Sequence, residues 1–146
     1  MSKTLTSMNS VLTMAHSSLF PVATQIQGFS TDAAMVADEL ETGVVQMGVD
    51  GKMSYARVPN PITFTITLQS DSDSNDSFDI VEGYEKTNRE KTELTFTLTI
   101  PAIKRAYTFT KCVITNLNPL APVQRVLGPR TFKVACERFD YTVLSA

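Results

Sequence analysis

Two heptads, Ile62-Thr63-Phe64-Thr65-Ile66-Thr67-Leu68 and Leu94-Thr95-Phe96-Thr97-Leu98-Thr99-Ile100, place an apolar residue at every second position with threonine between. A period of two puts the apolar residues on one face of an extended chain and the threonines on the other, which is the signature of a half-buried strand and incompatible with a helical stripe. The bias extends beyond the heptads. Thr, Val and Ile number 19, 13 and 7, so 39 of 146 positions are β-branched, and such side chains suit a pleated surface better than a helix. The chain is therefore expected to be mainly β.

Pro101 stops the second heptad, and alternation resumes over residues 104–115, so these two runs should pair as an antiparallel hairpin. A second hairpin is marked by Asp50-Gly51, between residues 44–49 and 52–58, because Asp-Gly favours the primed turns that match strand twist. Pro59 and Pro61 close it. The final strand, residues 131–144, changes phase: Phe132, Val134 and Cys136 share one parity, Phe139, Tyr141 and Val143 the other. The buried face should switch near Glu137-Arg138, through a bulge there or a change of surroundings along the strand. Residues 116–129, with Pro119, Pro122, Gly128 and Pro129, read as a long loop.

One segment is convincingly helical, over about residues 76–91. Phe78, Val81 and Tyr84 fall three apart on one stripe; acids lie toward its start, Lys86, Arg89 and Lys91 toward its end, and Asn75 or Asp76 can cap it. Residues 33–41 favour helix by local composition, although propensity is a weak guide in a sheet-dominated chain. The expected architecture is an antiparallel β-sandwich or barrel with one flanking helix.

Several kinds of chemistry are excluded. Thirteen basic against fifteen acidic residues give a net charge of −2, which is wrong for a protein that grips nucleic acid through its phosphates. One histidine, His16, and two cysteines, Cys112 and Cys136, cannot build a zinc site or a disulfide framework. His16 has no nucleophile motif around it, and Asp38, Glu39 and Glu41 are acids close in sequence, the usual pattern of a solvated edge. No enzyme activity and no cofactor are expected. The apolar run at residues 11–15 is too short for an export signal and no stretch is long enough to span a membrane, so the cysteines are expected to stay thiols in a reducing cytoplasm, as small core residues.

The sharpest near-match to a metal site is a calcium loop, with Asp71, Asp73, Asn75 and Glu82 at positions 1, 3, 5 and 12. Position 6 is Asp76 where the turn wants glycine, and a strand rather than a helix precedes it. A Ser/Asp/Asn-rich turn that caps a helix is the commoner structure, and no metal is expected.

The succession of elements carries a resemblance. A Gly28-Phe29 strand end, a short acidic segment, the Gly48-Val49-Asp50-Gly51-Lys52 hairpin, an exit through Arg57 and Asn60, the strand of residues 62–69, a Ser74-Asn75-Asp76 helix start and a closing strand near Ala135-Cys136-Glu137 together resemble the tail-tube proteins of contractile-tailed bacteriophages, related to the type VI secretion tube, over about residues 22–145. The resemblance implies an arm over residues 1–21 and one β domain over 22–146. It implies hexameric rings that stack into a hollow tube through which DNA passes without specific binding. It further implies a virion location after assembly in the host cytoplasm, and partners that include sheath, tape-measure and tube-end proteins.

The same resemblance implies an extended strand over residues 33–41. It assigns Asp50, Gly51, Lys52, Arg57 and Asn60 to contacts with neighbouring subunits or rings. Glu85, Lys86, Arg89 and Glu90 become a sheath-facing helix surface. The acids Asp32, Asp38, Glu39 and Glu41 suit a lumen, since a basic lining would retard DNA. Exposed strand edges, a liability in a monomer, would become bonding surfaces in a ring. The alternative is a monomeric β-sandwich that binds carbohydrate or protein. It would need an aromatic platform, yet the chain has no Trp and its four Tyr sit mostly at parities suited to packing.

Overall fold

A computed structural model describes residues 10–26 and 35–144. The Thr-faced heptads become β6 (Ile62–Leu68) and β7 (Leu94–Ile100). In β6 every even-numbered residue is buried and every threonine lies on the opposite face. The other strands are β1 (Val11–His16), β2 (Phe20–Ile26), β3 (Met35–Ala37), β4 (Gly43–Met47), β5 (Met53–Arg57), β8 (Arg105–Leu117) and β9 (Arg130–Val143), and the helix α1 spans Ser74–Asn88. Among the described residues, seven strands form one sheet in the order β2-β1-β7-β8-β9-β6-β3, antiparallel throughout, while β4 and β5 pair only with each other.

Ile26 near one edge of this sheet and Phe64 near the other belong to a single buried cluster, so the sheet folds over on itself around one core. Phe64 meets Phe96 edge-on at 5.4 Å and Phe109 at 4.8 Å. Helix α1 lays Phe78 flat on Phe132 at 4.2 Å, and Val81 follows one turn later. The mainly β class with one flanking helix is thus as expected.

The expected hairpin of β7 and β8 is present, joined by a 3-10 turn at Pro101–Ile103 with Lys104 in the left-handed region at φ 55°. Residues 35–37 are strand, paired with β6, against the local helical composition: Met35, Val36 and Ala37 face Ile66, Thr65 and Phe64. Edge pairing outweighs propensity there.

Two expectations are corrected. The buried face of β9 does not switch near Glu137: burial ends at Cys136 and residues 137–143 are all exposed, and no bulge of β9 against β8 lies there. Thr110↔Arg138 and Cys112↔Cys136 flank the point in unshifted register. The irregularity lies between β7 and β8, where Lys111 takes φ 53° and residues 109–112 of β8 gain one position on β7. Buried residues on β8 pass from Phe109 to Cys112, and their partners across the pair are Phe139, which is exposed, and Cys136, which is buried.

The helix ends at Asn88 rather than near residue 91. Arg89 closes it at φ 57°, its N–H donating to the Glu85 carbonyl at 2.7 Å. The turn brings Thr92 N–H and the Lys91 ammonium onto the Glu85 carboxylate at 2.9 and 3.3 Å, and a buried carboxylate needs such partners. At the other end the cap position is Asp73, not Asn75 or Asp76, and its side chain makes no capping bond.

The boundary expected after residue 21 falls inside β2. Of the arm expected over residues 1–21, residues 11–16 are β1, with Leu12 and Met14 in the core. Gly28, Phe29 and Asp32 lie outside the described residues.

Candidate assembly surfaces

The β4–β5 hairpin stands on a defined base. Val58 N–H donates to the Thr42 carbonyl at 3.0 Å, and the Asn60 side-chain amide donates to the Glu41 carbonyl at 3.0 Å. At its tip, Gly48 N–H donates to the Lys52 carbonyl (2.8 Å), Gly51 takes φ 83°, and the Asp50 carboxylate accepts from Lys52 N–H at 3.1 Å. Glycine at 51 removes the strain of that conformation. Between base and tip every residue is exposed.

The register decides what the hairpin presents. Val45 lies opposite Tyr55 and Met47 opposite Met53, so these four share one face, while Val44, Gln46, Ser54 and Ala56 share the other. Tyr55 is 80% exposed. An apolar stripe on an uncovered two-stranded ribbon is unusual, because such ribbons are marginal in water without something to pack on.

A second apolar group escaped sequence reading. Leu120, Val123, Val126 and Leu127 are exposed on the loop joining β8 to β9. The loop's base is fixed: Asn118 N–H donates to the Thr131 carbonyl at 3.1 Å, and Arg130 Nε donates to the Asn118 carbonyl at 2.9 Å. The available signal was four large apolar residues among three prolines with no helical or strand period. Loops at the ends of β6 place these surfaces. The hairpin base adjoins Ile62, whereas Leu68 pairs with Arg130 at the loop's end, so the two lie at opposite ends of the β6–β9 pair.

A third surface is aromatic. Beyond Cys136, Phe139 stacks on Tyr107 at 5.6 Å, and Arg105 lies over the Tyr141 ring at 4.8 Å. Phe139 also borders the groove at the hairpin base, with Leu40, Arg57 and Pro59. Tyr55 and Tyr141 are exposed, which corrects the expectation that the tyrosines mostly pack.

Of the proposed lumen acids, Asp38, Glu39 and Glu41 are exposed beside the edge strand β3. Asp38 accepts from the Thr63 hydroxyl at 2.6 Å and sits 3.9 Å from the Lys133 ammonium, on the threonine face of the sheet. Of the helix residues, Lys86 is exposed on α1, and Arg89 and Glu90 are exposed just past its end. Glu85 is not on that outer surface: it is 8% exposed and faces the chain's own Lys91 and Thr92.

Asp71 and Asp73 are exposed, and Glu82 lies partly buried on α1. Asn75 turns its amide nitrogen, not its oxygen, toward the loop, donating to the carbonyls of Gln69 (2.9 Å) and Ser72 (3.1 Å). A donor therefore occupies the place where a cation would need oxygen ligands. His16 is buried and structural in its contacts: Nδ1 accepts from Ser18 and Leu19 N–H at 3.0 and 2.9 Å, Nε2 bonds the Thr92 hydroxyl, and the ring meets Tyr84 edge-on at 5.4 Å. Among the described residues no helix is long and apolar enough to cross a membrane.

A family model described as Tail fiber protein gp32 matches residues 3–140. No curated protein matches. Solved structures share the fold at low identity. A chain of the sheath/tube terminator of an extracellular contractile injection system, in its extended state, superposes with TM-score 0.61 at 11% identity, covering 97% of this chain and 99% of that one. A chain of the anti-feeding prophage baseplate, 6-fold symmetrised, gives 0.60 at 9% identity over 100% of both. A chain of the anti-feeding prophage tube-terminating cap gives 0.54 at 10%, covering 98% and 93%.

Proposed function

This chain belongs to the family of tail fiber protein gp32, a family of structural tail components rather than enzymes, and on that premise we propose that it is a ring-forming subunit of a phage-tail-like contractile assembly. Six copies join edge to edge through β2 and β3, the edge strands of the seven-stranded sheet among the described residues, and the rings stack into, or cap, a hollow tube. Edges paired around a closed ring remove the unpaired backbone groups that an isolated sheet would expose.

The observation that carries this reading is the placement of the two apolar surfaces at opposite ends of the β6–β9 pair. A patch at one pole and a different patch at the other make a heterologous contact, which propagates head to tail and builds stacks. The apolar side chains of the hairpin, Val44, Val45, Met47, Val49, Met53 and Tyr55, are all largely exposed. Val45, Met47, Met53 and Tyr55 share one face, so a single partner surface can cover them together. Asp50, Gly51, Lys52, Arg57 and Asn60 then act by shaping and seating the hairpin. Asp38, Glu39 and Glu41, beside the β3 edge, line the passage with negative charge, so that DNA slides past without specific binding. Lys86, Arg89 and Glu90 face outward, where a sheath subunit docks, and tape-measure and tube-end proteins complete the assembly in the virion.

The exposed tyrosines lend some support to a monomeric binding module, but Tyr55 sits on the hairpin and Tyr141 on the β9 ribbon, so they form no single platform. Introducing charge on the hairpin separates the readings. Val45→Asp with Tyr55→Asp should leave the far-ultraviolet circular dichroism unchanged and abolish the stacking of rings in sedimentation velocity while single rings persist; stacks that survive both changes would refute the role given to the hairpin.

A further inference from the structure

Cys112 and Cys136 stand directly opposite each other on β8 and β9. Both are free and both lie in the core. Directly opposed residues of an antiparallel pair have Cα atoms about 4.5–5.5 Å apart, inside the roughly 4.4–6.8 Å that a disulfide spans. We propose that this pair is a built cross-strand disulfide site, held as thiols in the reducing interior of the producing cell and closed to a disulfide outside it.

The surroundings say where such a bond would act. The strands are otherwise in register on both sides of the pair, so closure needs no slip of β8 on β9. The ring it closes, residues 112–136, contains the whole apolar loop of residues 118–129, and the bond would staple the base of that loop. The register shift of β8 against β7 adjoins Cys112 through Lys111, and an interrupted ladder beside the pair is where the ribbon would open to admit an oxidant. While the ribbon stays closed, the hydrogen bond from Cys136, reinforced by burial, pushes the Cys112 thiol well above its ordinary value. Reaction therefore proceeds through the opened ribbon and is slow.

The oxidant is a small-molecule disulfide of the glutathione class. One cysteine thiolate attacks a sulfur of that disulfide and expels one small thiolate, leaving a mixed disulfide on the protein. The second cysteine thiolate attacks the protein sulfur of the mixed disulfide and expels the other. Two thiol protons pass to the two released thiolates, and the two electrons lost by the protein reduce the small disulfide to two thiols.

The site depends only on the fold; only the timing of closure rests on the tail-assembly reading. The test uses the full chain incubated natively with oxidised or reduced glutathione, quenched in acid, then alkylated with iodoacetamide in denaturant and weighed intact. The oxidised arm should yield protein two hydrogens lighter and with no alkyl groups, the reduced arm protein carrying two. Peptide mapping should show residues 112 and 136 joined. The variants Cys112→Ser and Cys136→Ser should each end as a glutathione adduct or carry a single alkyl group. Two alkylatable thiols in the oxidised arm at equilibrium, or a stable glutathione adduct on the wild-type chain, would overturn the proposal, whether or not the protein forms rings.

Discussion

Arg130 grips the Asp79 carboxylate with both terminal nitrogens, at 3.0 and 3.2 Å, and so ties the first residue of β9 to the outer side of α1. The same guanidinium donates through Nε to the Asn118 carbonyl at 2.9 Å and lies 5.0 Å from the centre of the Phe132 ring. One side chain thus joins the helix, the last strand and the base of the apolar loop.

Loss of that fork should be costly even though its acid is half exposed. Arg130→Ala should lower unfolding free energy by roughly 2–4 kcal/mol through lost packing and lost hydrogen bonds together. Asp79→Ala should cost less, about 1 kcal/mol. Arg130→Lys should not restore stability, because an ammonium cannot reproduce the planar fork. Urea denaturation of the three variants decides it; equal stability of Arg130→Lys and wild type would show that the fork geometry does not matter.

His16 should matter for the β1–β2 turn and not for chemistry. His16→Phe can keep the edge contact on Tyr84 but strands the Ser18 and Leu19 N–H groups. A loss of about 1–3 kcal/mol is expected, with faster hydrogen exchange at those two amides. Unchanged exchange there would mean that the ring nitrogen does not hold the turn.

The hairpin tip should be separable from the core. At Gly51 the backbone has φ 83° and an added Cβ meets nothing within 4 Å, so Gly51→Ala is a strain mutation rather than a clash, costing about 1 kcal/mol locally. Because β4 and β5 pair only with each other among the described residues, the global thermal midpoint should hardly move, while assembly weakens. A large fall in the midpoint would show the hairpin to be part of the cooperative unit.

The Cys112 thiol sets a pH dependence with a definite sign. Its folded value is raised above the ordinary 9.0, first by the hydrogen bond with Cys136 and then by burial. The unfolded chain therefore loses this proton first as pH rises. The contribution is complete below pH 9 and declines above it, where the unfolded state binds fewer protons than the folded one. Relative to wild type, Cys112→Ala should show a shallower loss of stability between pH 9 and 10.5 in urea titrations run under reducing conditions. Parallel curves would contradict the assignment.

What the sequence made legible is what short periods carry. The alternation in residues 62–68 and 94–100 named two strands and their buried faces, and Asp50-Gly51 named the hairpin turn, because each depends on neighbours along the chain. What it hid depends on partners far away. Glu85 reads as an outer-face acid until Lys91 and Thr92 fold back on it and end the helix early. The alternation after Glu137 reads as a second buried face of β9, yet residues 137–143 are exposed, and the register shift at this level lies between β7 and β8. Val45 and Tyr55 became one apolar stripe only once the register was known. The apolar loop was overlooked for a simpler reason: prolines marked it as a connection, and its four exposed hydrophobic residues follow no period.

The central claim is that this chain bonds to copies of itself, edge to edge into six-fold rings and pole to pole into stacks. Negative-stain electron microscopy of the purified full chain at increasing concentration tests it most directly. Six-fold rings with a central hole, some stacked, are the predicted result, with Val45→Asp/Tyr55→Asp retaining single rings and losing the stacks. Compact monomers at every concentration, for wild type and variant alike, would contradict it.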